Sequence, residues 1–265
     1  MYTDFIGWRW LRAEVVNLAF FGAMTAIAWV QGLDPARRWR VTGLGGVGVV
    51  LTIAGAWTGL PVVRDWLPVV LMLLAYWQSG PFFVHPNERF QTLLLELDHR
   101  LLAGVKPPGW LAQLLELAYV FCYPLLPMGM GLLYAAGQRQ AADFYWTAVL
   151  APTYVCYALL PFLPTSPPRV LEPPTPAAGV RRLNQWLVRN GSIQANTFPS
   201  AHVAATMSSA LVLLLVLPAA GWAFLAIALA IAASAVLGRY HYLADVLLGA
   251  VLAVISAAMF SPRGP

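Results

Sequence analysis

The sequence predicts an all-α fold, a polytopic membrane helix bundle of about eight spanning helices, with six to eight as the range. Three observations predict it. Of 265 residues, 60% are hydrophobic and 10% charged, whereas soluble domains carry about 25% charged residues. The mean hydropathy is +0.68. Apolar runs recur along the whole chain at the roughly 20-residue length that a bilayer crossing requires.

Taken in order, the candidate spans are residues 13–31, 41–60, 62–80, 109–136, 143–163, 201–219, 221–238 and 242–260. The first run follows Asp4 and precedes further spans, so it reads as a retained helix and not as a cleaved signal peptide, which would need a basic leading segment and a small-residue cleavage site. The second contains GLGGVG without the strand and acidic residue of a dinucleotide site, which leaves close helix packing as its role. The third carries Arg64, Asp65 and Pro68 near its start and is expected to be short or partly interfacial. Between the third and fourth, Leu93, Leu94, Leu97, Leu101 and Leu102 fall at helical spacing with Glu96, Asp98 and Arg100 largely opposite, the pattern of an amphipathic helix lying in the membrane interface. The longest polar stretch, residues 164–198, is proline-rich and carries Arg169, Arg181, Arg182 and Arg189; a loop of that length is usually functional or disordered. The expected organisation is a transmembrane element over residues 1–80, an interfacial segment over 81–108 and a main bundle over 109–265.

The net charge of +5 does not point to nucleic acid, because the basic residues are scattered between apolar runs and form no stripe. Only one of the sixteen basic residues is a lysine, Lys106. Guanidinium groups suit phosphate oxygens, although a GC-rich coding bias explains the same imbalance. Cys122 and Cys156 fall within apolar segments and read as small hydrophobes.

Two segments carry candidate chemistry. In NTFPSAHVAATMSSA, Ser200 and His202 stand at the start of the sixth span, where free backbone N–H groups and the helix dipole favour phosphate; a capping serine beside an interfacial histidine is the plain alternative. In GRYHYLADVLLGA, His241 and Asp245 are four residues apart, which on a helix brings their Cβ atoms to about 5–6 Å. An acid inside an apolar span is costly unless paired. A carboxylate that accepts the Nδ1 proton leaves Nε2 free as a nucleophile; a structural pair between helices is the alternative. The sixth span leaves the His202 end and the seventh returns, so both histidines reach one membrane face. Arg169 and Arg239 lie on that face as well. Two guanidinium groups, a hydroxyl and helix N–H donors would then surround one phosphoryl group. Glu116 and Tyr119, in the fourth span, either line a substrate pocket or tie helices together. Two histidines and one aspartate are better used as nucleophile, acid and orienting group than as metal ligands, so neither metal nor other cofactor is expected.

The order of a proline-rich basic loop, PSxH, and a histidine with an aspartate four residues later resembles the signature segments of the type 2 phosphatidic acid phosphatase superfamily. The spellings FPSAHVA, RYHYLAD, PTSPPR and LDHRLLAGVKPPGWL are similar to the inositol phosphorylceramide synthase, or aureobasidin-resistance, branch. The resemblance covers residues 109–260 and the segment just before them. It implies a lipid phosphatase or phosphotransferase that needs no metal, with His241 as the nucleophile that becomes phosphorylated, Asp245 as its orienting acid and His202 as the acid that protonates the leaving oxygen. Arg169, Ser200 and Arg239 would bind phosphate. Glu116, Tyr119 and Arg182 are further candidates for the substrate pocket. The chain departs from the family's pattern in lacking a lysine six residues before Arg-Pro, and in having Ser234-Ala235 where the family writes Ser-Arg; Arg239, one helical turn beyond Ala235, is the expected replacement. The competing class is a transporter or lipid-binding membrane protein, which should show paired repeats with broken helices; no repeat is visible. The loops on the expected catalytic face carry eleven basic residues against five on the other, which by the positive-inside rule makes that face cytoplasmic, whereas the resemblance implies an extracytoplasmic face of the cell membrane. The expected partners are the membrane and a lipid phosphate or diphosphate, with oligomeric state left open.

Overall fold

The computed structural model describes residues 4–5, 8–172 and 179–261; residues 173–178 of the predicted polar loop lie outside them. After a two-residue antiparallel pair, β1 Asp4–Phe5 and β2 Trp8–Arg9, the chain is helical: α1 Arg12–Val30, α2 Pro35–Thr58, α3 Pro61–Ser79, α4 Glu88–Leu101, α5 Gly109–Val120, α6 Leu125–Ala135, α7 Ala142–Leu159, α8 Pro168–Leu171, α9 Val180–Gly191, α10 Ala201–Val216, α11 Pro218–Leu237 and α12 Leu243–Phe260. The fold is an all-α bundle.

Helices α1, α2, α11 and α12 are each long and apolar enough to cross a membrane, and α5 with α6, bent by 65° from each other, is long and apolar enough as a pair. The bend falls inside the single span expected over 109–136. Its cause is Pro124, which lacks an N–H and disfavours helical backbone at Tyr123; the chain turns through 121–124 and restarts at Leu125. α10 is apolar but only 16 residues long. It packs centrally, against α7, α11 and α12, and α7 in turn packs against α1.

The polar start of α3 does not shorten the helix, which runs 19 residues from Pro61 at its first turn. Its charges are paired at the bundle end opposite the site described below. Arg64 Nε and Nη2 each stand 2.7 Å from a Glu14 carboxylate oxygen, and Asp65 Oδ2 accepts from Arg139 Nε at 2.7 Å and Tyr134 Oη at 2.6 Å. Buried ions are tolerated when paired and hydrogen-bonded in this way.

The glycines of α2 serve packing. A Cβ on Gly45 would stand 2.3 Å from Thr25 Oγ1, and one on Gly48 would stand 2.5 Å from the Phe21 ring, so only glycine lets α1 and α2 approach so closely. α4 is amphipathic, with Gln91, Leu94 and Asp98 buried and Leu93, Leu97 and Leu101 exposed.

Candidate active site

The residues singled out at the starts of the sixth and eighth spans meet where α10 begins and α11 ends. Ser200 caps α10: its Oγ accepts from the Val203 N–H at 3.5 Å, and its own N–H donates to the Asp245 carbonyl at 2.9 Å. Its hydroxyl is fully buried as a cap. A Cβ on Gly249 would lie 2.6 Å from the Ser200 carbonyl oxygen. The missing side chain is therefore what allows α12 to press against the start of α10.

His241 and Asp245 make contact, but not along a helix face. α11 ends at Leu237, Arg239 turns the chain with φ 60, and α12 begins only at Leu243. His241 therefore precedes the helix, and Asp245 sits in its first turn. From there the carboxylate reaches back to the free N–H groups, as acids at this position do: Asp245 Oδ2 accepts from the Tyr242 N–H at 3.1 Å and stands 3.2 Å from His241 Nδ1. Asn196 Nδ2 donates to the same oxygen at 2.8 Å. Asp245 is wholly buried and His241 is 5% exposed.

Asn196 is a site residue that sequence reasoning misses. It is held by Thr165 on both backbone and side chain, through Asn196 N–H to the Thr165 carbonyl at 2.8 Å and Nδ2 to Thr165 Oγ1 at 2.9 Å. An asparagine among polar loop residues gives no periodic signal; its nearness to NTFPSAH is the only clue the sequence holds.

The His202 ring lies 5.6 Å from the His241 ring at an interplanar angle of 80°. Burial, and then the Arg169 guanidinium, push the His241 imidazole well below its usual value, so it is held neutral with a nitrogen lone pair available. Arg169 is positioned from α8, where its N–H donates to the Arg239 carbonyl at 2.9 Å and its guanidinium carbon stands 5.6 Å from the centre of the Tyr240 ring. Arg239 points elsewhere. Its Nη1 pairs with Glu172, whose other oxygen is 2.7 Å from His99 Nε2.

The remaining candidates divide. Tyr119 stacks on Tyr240 at 4.0 Å and meets His202 edge-on at 5.7 Å, forming a wall of the site. Glu116 is committed to protein partners, accepting from Tyr240 Oη and Asn184 Nδ2, both at 2.7 Å. Arg182 is exposed on α9, while its neighbour Arg181 lies 3.6 Å from Glu116.

His202 opens into a cavity of about 360 Å³ whose lining includes Met72, Leu73, Tyr76, Tyr123, Leu126 and Trp146. Among the described residues, no group of three or more His, Cys, Asp or Glu side chains is arranged to hold a metal ion. The arrangement thus offers a neutral, oriented imidazole, a second imidazole facing it, a guanidinium beside both and an apolar space leading away.

Such a bundle, apolar enough to cross a bilayer several times and carrying this site at the end of its helices, defines an integral membrane protein. The model of the PAP2 superfamily matches residues 90–259, more than half of the chain, with both histidines, Asp245, Asn196 and the arginines of this site among them. The chain belongs to the PAP2 superfamily, a membership that goes with phosphatase-type enzymes acting on lipid phosphates. No curated protein and no solved structure matches it.

Proposed function

We propose that the protein is a metal-independent phosphoryl-transfer enzyme acting on a lipid phosphate or diphosphate through a phosphohistidine at His241. The observation that carries this reading is the two-sided geometry of His241, with Nδ1 on the carboxylate of Asp245 and the ring facing His202 at the mouth of an apolar cavity. The cavity fits a lipid chain, and the ring pair fits the phosphoryl group at its end.

In the first step His241 Nε2 attacks phosphorus and the bond to the leaving oxygen breaks, while His202 gives that oxygen a proton. The phosphorylated ring keeps its Nδ1 proton and so carries positive charge, which Asp245 stabilises. Arg169 neutralises the phosphoryl oxygens, joined by Arg239 once it exchanges Glu172 for substrate. In the second step an oxygen of water or of an alcohol attacks phosphorus and loses its proton to His202, and the His241–phosphorus bond breaks. Ser200 contributes through the helix start that it caps and not as a free hydroxyl. The spellings around His202 and His241 support the inositol phosphorylceramide synthase branch, in which an alcohol would take the place of water, and the resemblance argues for a site on the extracytoplasmic face of the cell membrane.

Purified protein incubated with ³²P-labelled phosphatidic acid in chelator, quenched in base and digested, should yield an acid-labile labelled peptide containing His241. Label on any other residue, or turnover that stops when divalent ions are removed, would overturn the proposal.

A further inference from the structure

A second cavity, of about 630 Å³, lies beside the histidine centre; Asp98, Lys106, Glu116, Arg181, Ser234 and Arg239 are among its lining residues. Tyr240, stacked on Tyr119 at 4.0 Å, stands between the two: its hydroxyl bonds Glu116 of this cavity, while His202 meets the Tyr119 ring.

The acids here are already engaged. Glu116 Oε2 takes two donors, Asp98 Oδ1 accepts the Leu243 N–H at 3.0 Å, and neighbouring Glu172 holds Arg239 and His99. Several donors are not. Ser234 Oγ has no hydrogen-bond partner although the residue is 1% exposed. The Arg181 guanidinium, which donates from Nη2 to the Gly238 carbonyl at 3.2 Å and lies 3.6 Å from Glu116, is left without a hydrogen bond at its buried Nε. Exposed Lys106 has no ion-pair partner among the described residues. Unpaired buried donors such as Ser234 Oγ and Arg181 Nε are costly, and with a lysine lining the same cavity the ligand that suits them is an anion with several oxygens. Trp110, Leu114 and Val105, on the segments that frame the cavity, are exposed apolar residues, as lipid-facing side chains are.

We propose that this cavity is a second anion site, sharing only Arg239 with the histidine centre, that takes the phosphate of a glycerol-phosphate-type head group. The ligand's hydroxyls would meet the remaining carboxylate oxygens, Asp98 Oδ2 and Glu116 Oε1.

The proposal concerns binding and stands whether or not His241 is the nucleophile. Full-length protein in nanodiscs of phosphatidylcholine with added phosphatidylglycerol is released for native mass spectrometry, which counts retained anionic lipids. A parallel titration with glycerol 3-phosphate uses nanodiscs of phosphatidylcholine alone. The variants are Ser234→Ala, which deletes only an unpaired hydroxyl, and Ser234→Ala with Lys106→Gln. The double variant should lose one retained anionic lipid or bind glycerol 3-phosphate about tenfold more weakly, the loss expected for a charge-assisted hydrogen bond, with unchanged turnover of phosphatidic acid and unchanged melting temperature. Loss in the lipid arm alone makes the ligand a membrane lipid, loss in the soluble arm alone makes it a free phosphate ester, and loss in both shows that the phosphate suffices. Unchanged binding in both arms overturns the proposal. So does a fall in turnover alongside binding, since these residues would then belong to the histidine centre.

Discussion

Asp245→Asn tests the orientation of the nucleophile without changing its shape. Asp245 Oδ2 faces three donors, from Asn196, Tyr242 and His241, and Oδ1 has no partner. The substituted amide will therefore place its oxygen at the Oδ2 position, which keeps all three contacts, and its NH₂ where no acceptor waits. An unsatisfied buried amide costs about 1–3 kcal/mol, so the protein should fold with a lowered melting temperature. Catalysis loses more. At 3.2 Å and an effective dielectric of about 20, the interaction of the carboxylate with a positive imidazole is about 5 kcal/mol, which corresponds to about 10³–10⁴ in rate. Phosphate release from phosphatidic acid by purified protein, with circular dichroism and thermal unfolding as fold controls, measures both effects. A well-folded Asp245→Asn protein within tenfold of the normal rate would show that the pair does not act in catalysis.

Arg169→Lys should lower kcat/KM by about 10²-fold or more, since it removes the guanidinium nearest the histidines, while Arg239→Lys, whose group already pairs with Glu172, should cost under tenfold; the reverse order in steady-state kinetics would refute the assignment of Arg169. His202→Ala should be slowed by about 10²–10⁴-fold on a lipid phosphate, regain much of that loss on an aryl phosphate and still trap phosphohistidine, whereas His241→Ala should be inactive on both; equal loss on both leaving groups in His202→Ala would reject its role as acid. Asn196→Leu should lower kcat with little change in KM, because it frees Asp245 to turn without touching substrate, and a pure KM effect would contradict this. Gly249→Ala should destabilise the protein by about 1–3 kcal/mol in thermal unfolding, since its Cβ meets the Ser200 carbonyl; an unchanged melting temperature would show that α10 and α12 part easily.

The bundle and the convergence of His202, His241 and Asp245 are readable because long apolar runs announce helices and a helix pair that leaves and returns must bring its ends together. The details depart where local chemistry overrides periodicity. Spacing makes His241 and Asp245 neighbours along a helix; they meet because an acid in the first turn reaches back past the helix start. Arg239 is expected one turn along the helix from Ala235, yet the helix ends at Leu237. Pro124 marks the break between α5 and α6 but is outweighed by the apolar run around it. On α9 the inward face is Arg181, Asn184 and Val188, spaced at three and four residues, so helical phase alone favours Arg181 over Arg182. Asn196 cannot be found this way, since its partner Thr165 is 31 residues distant.

The pairing of Thr165 with Asn196 divides the chain into what must be kept and what is free to change. With those two residues tied to each other and Asn196 tied to Asp245, everything between them is a closed excursion, and the free energy of closing an excursion grows only with the logarithm of its length, about 0.6 kcal/mol per doubling. Positions in the excursion whose side chains reach neither the histidines nor Glu116 can change while the histidine centre stays in register. Arg169 stands close to the Thr165 end, near enough to be held with the centre, and α9, further along, is held in its turn by the bonds from Asn184 to Glu116. A chain built this way can acquire a new lipid without relearning its chemistry.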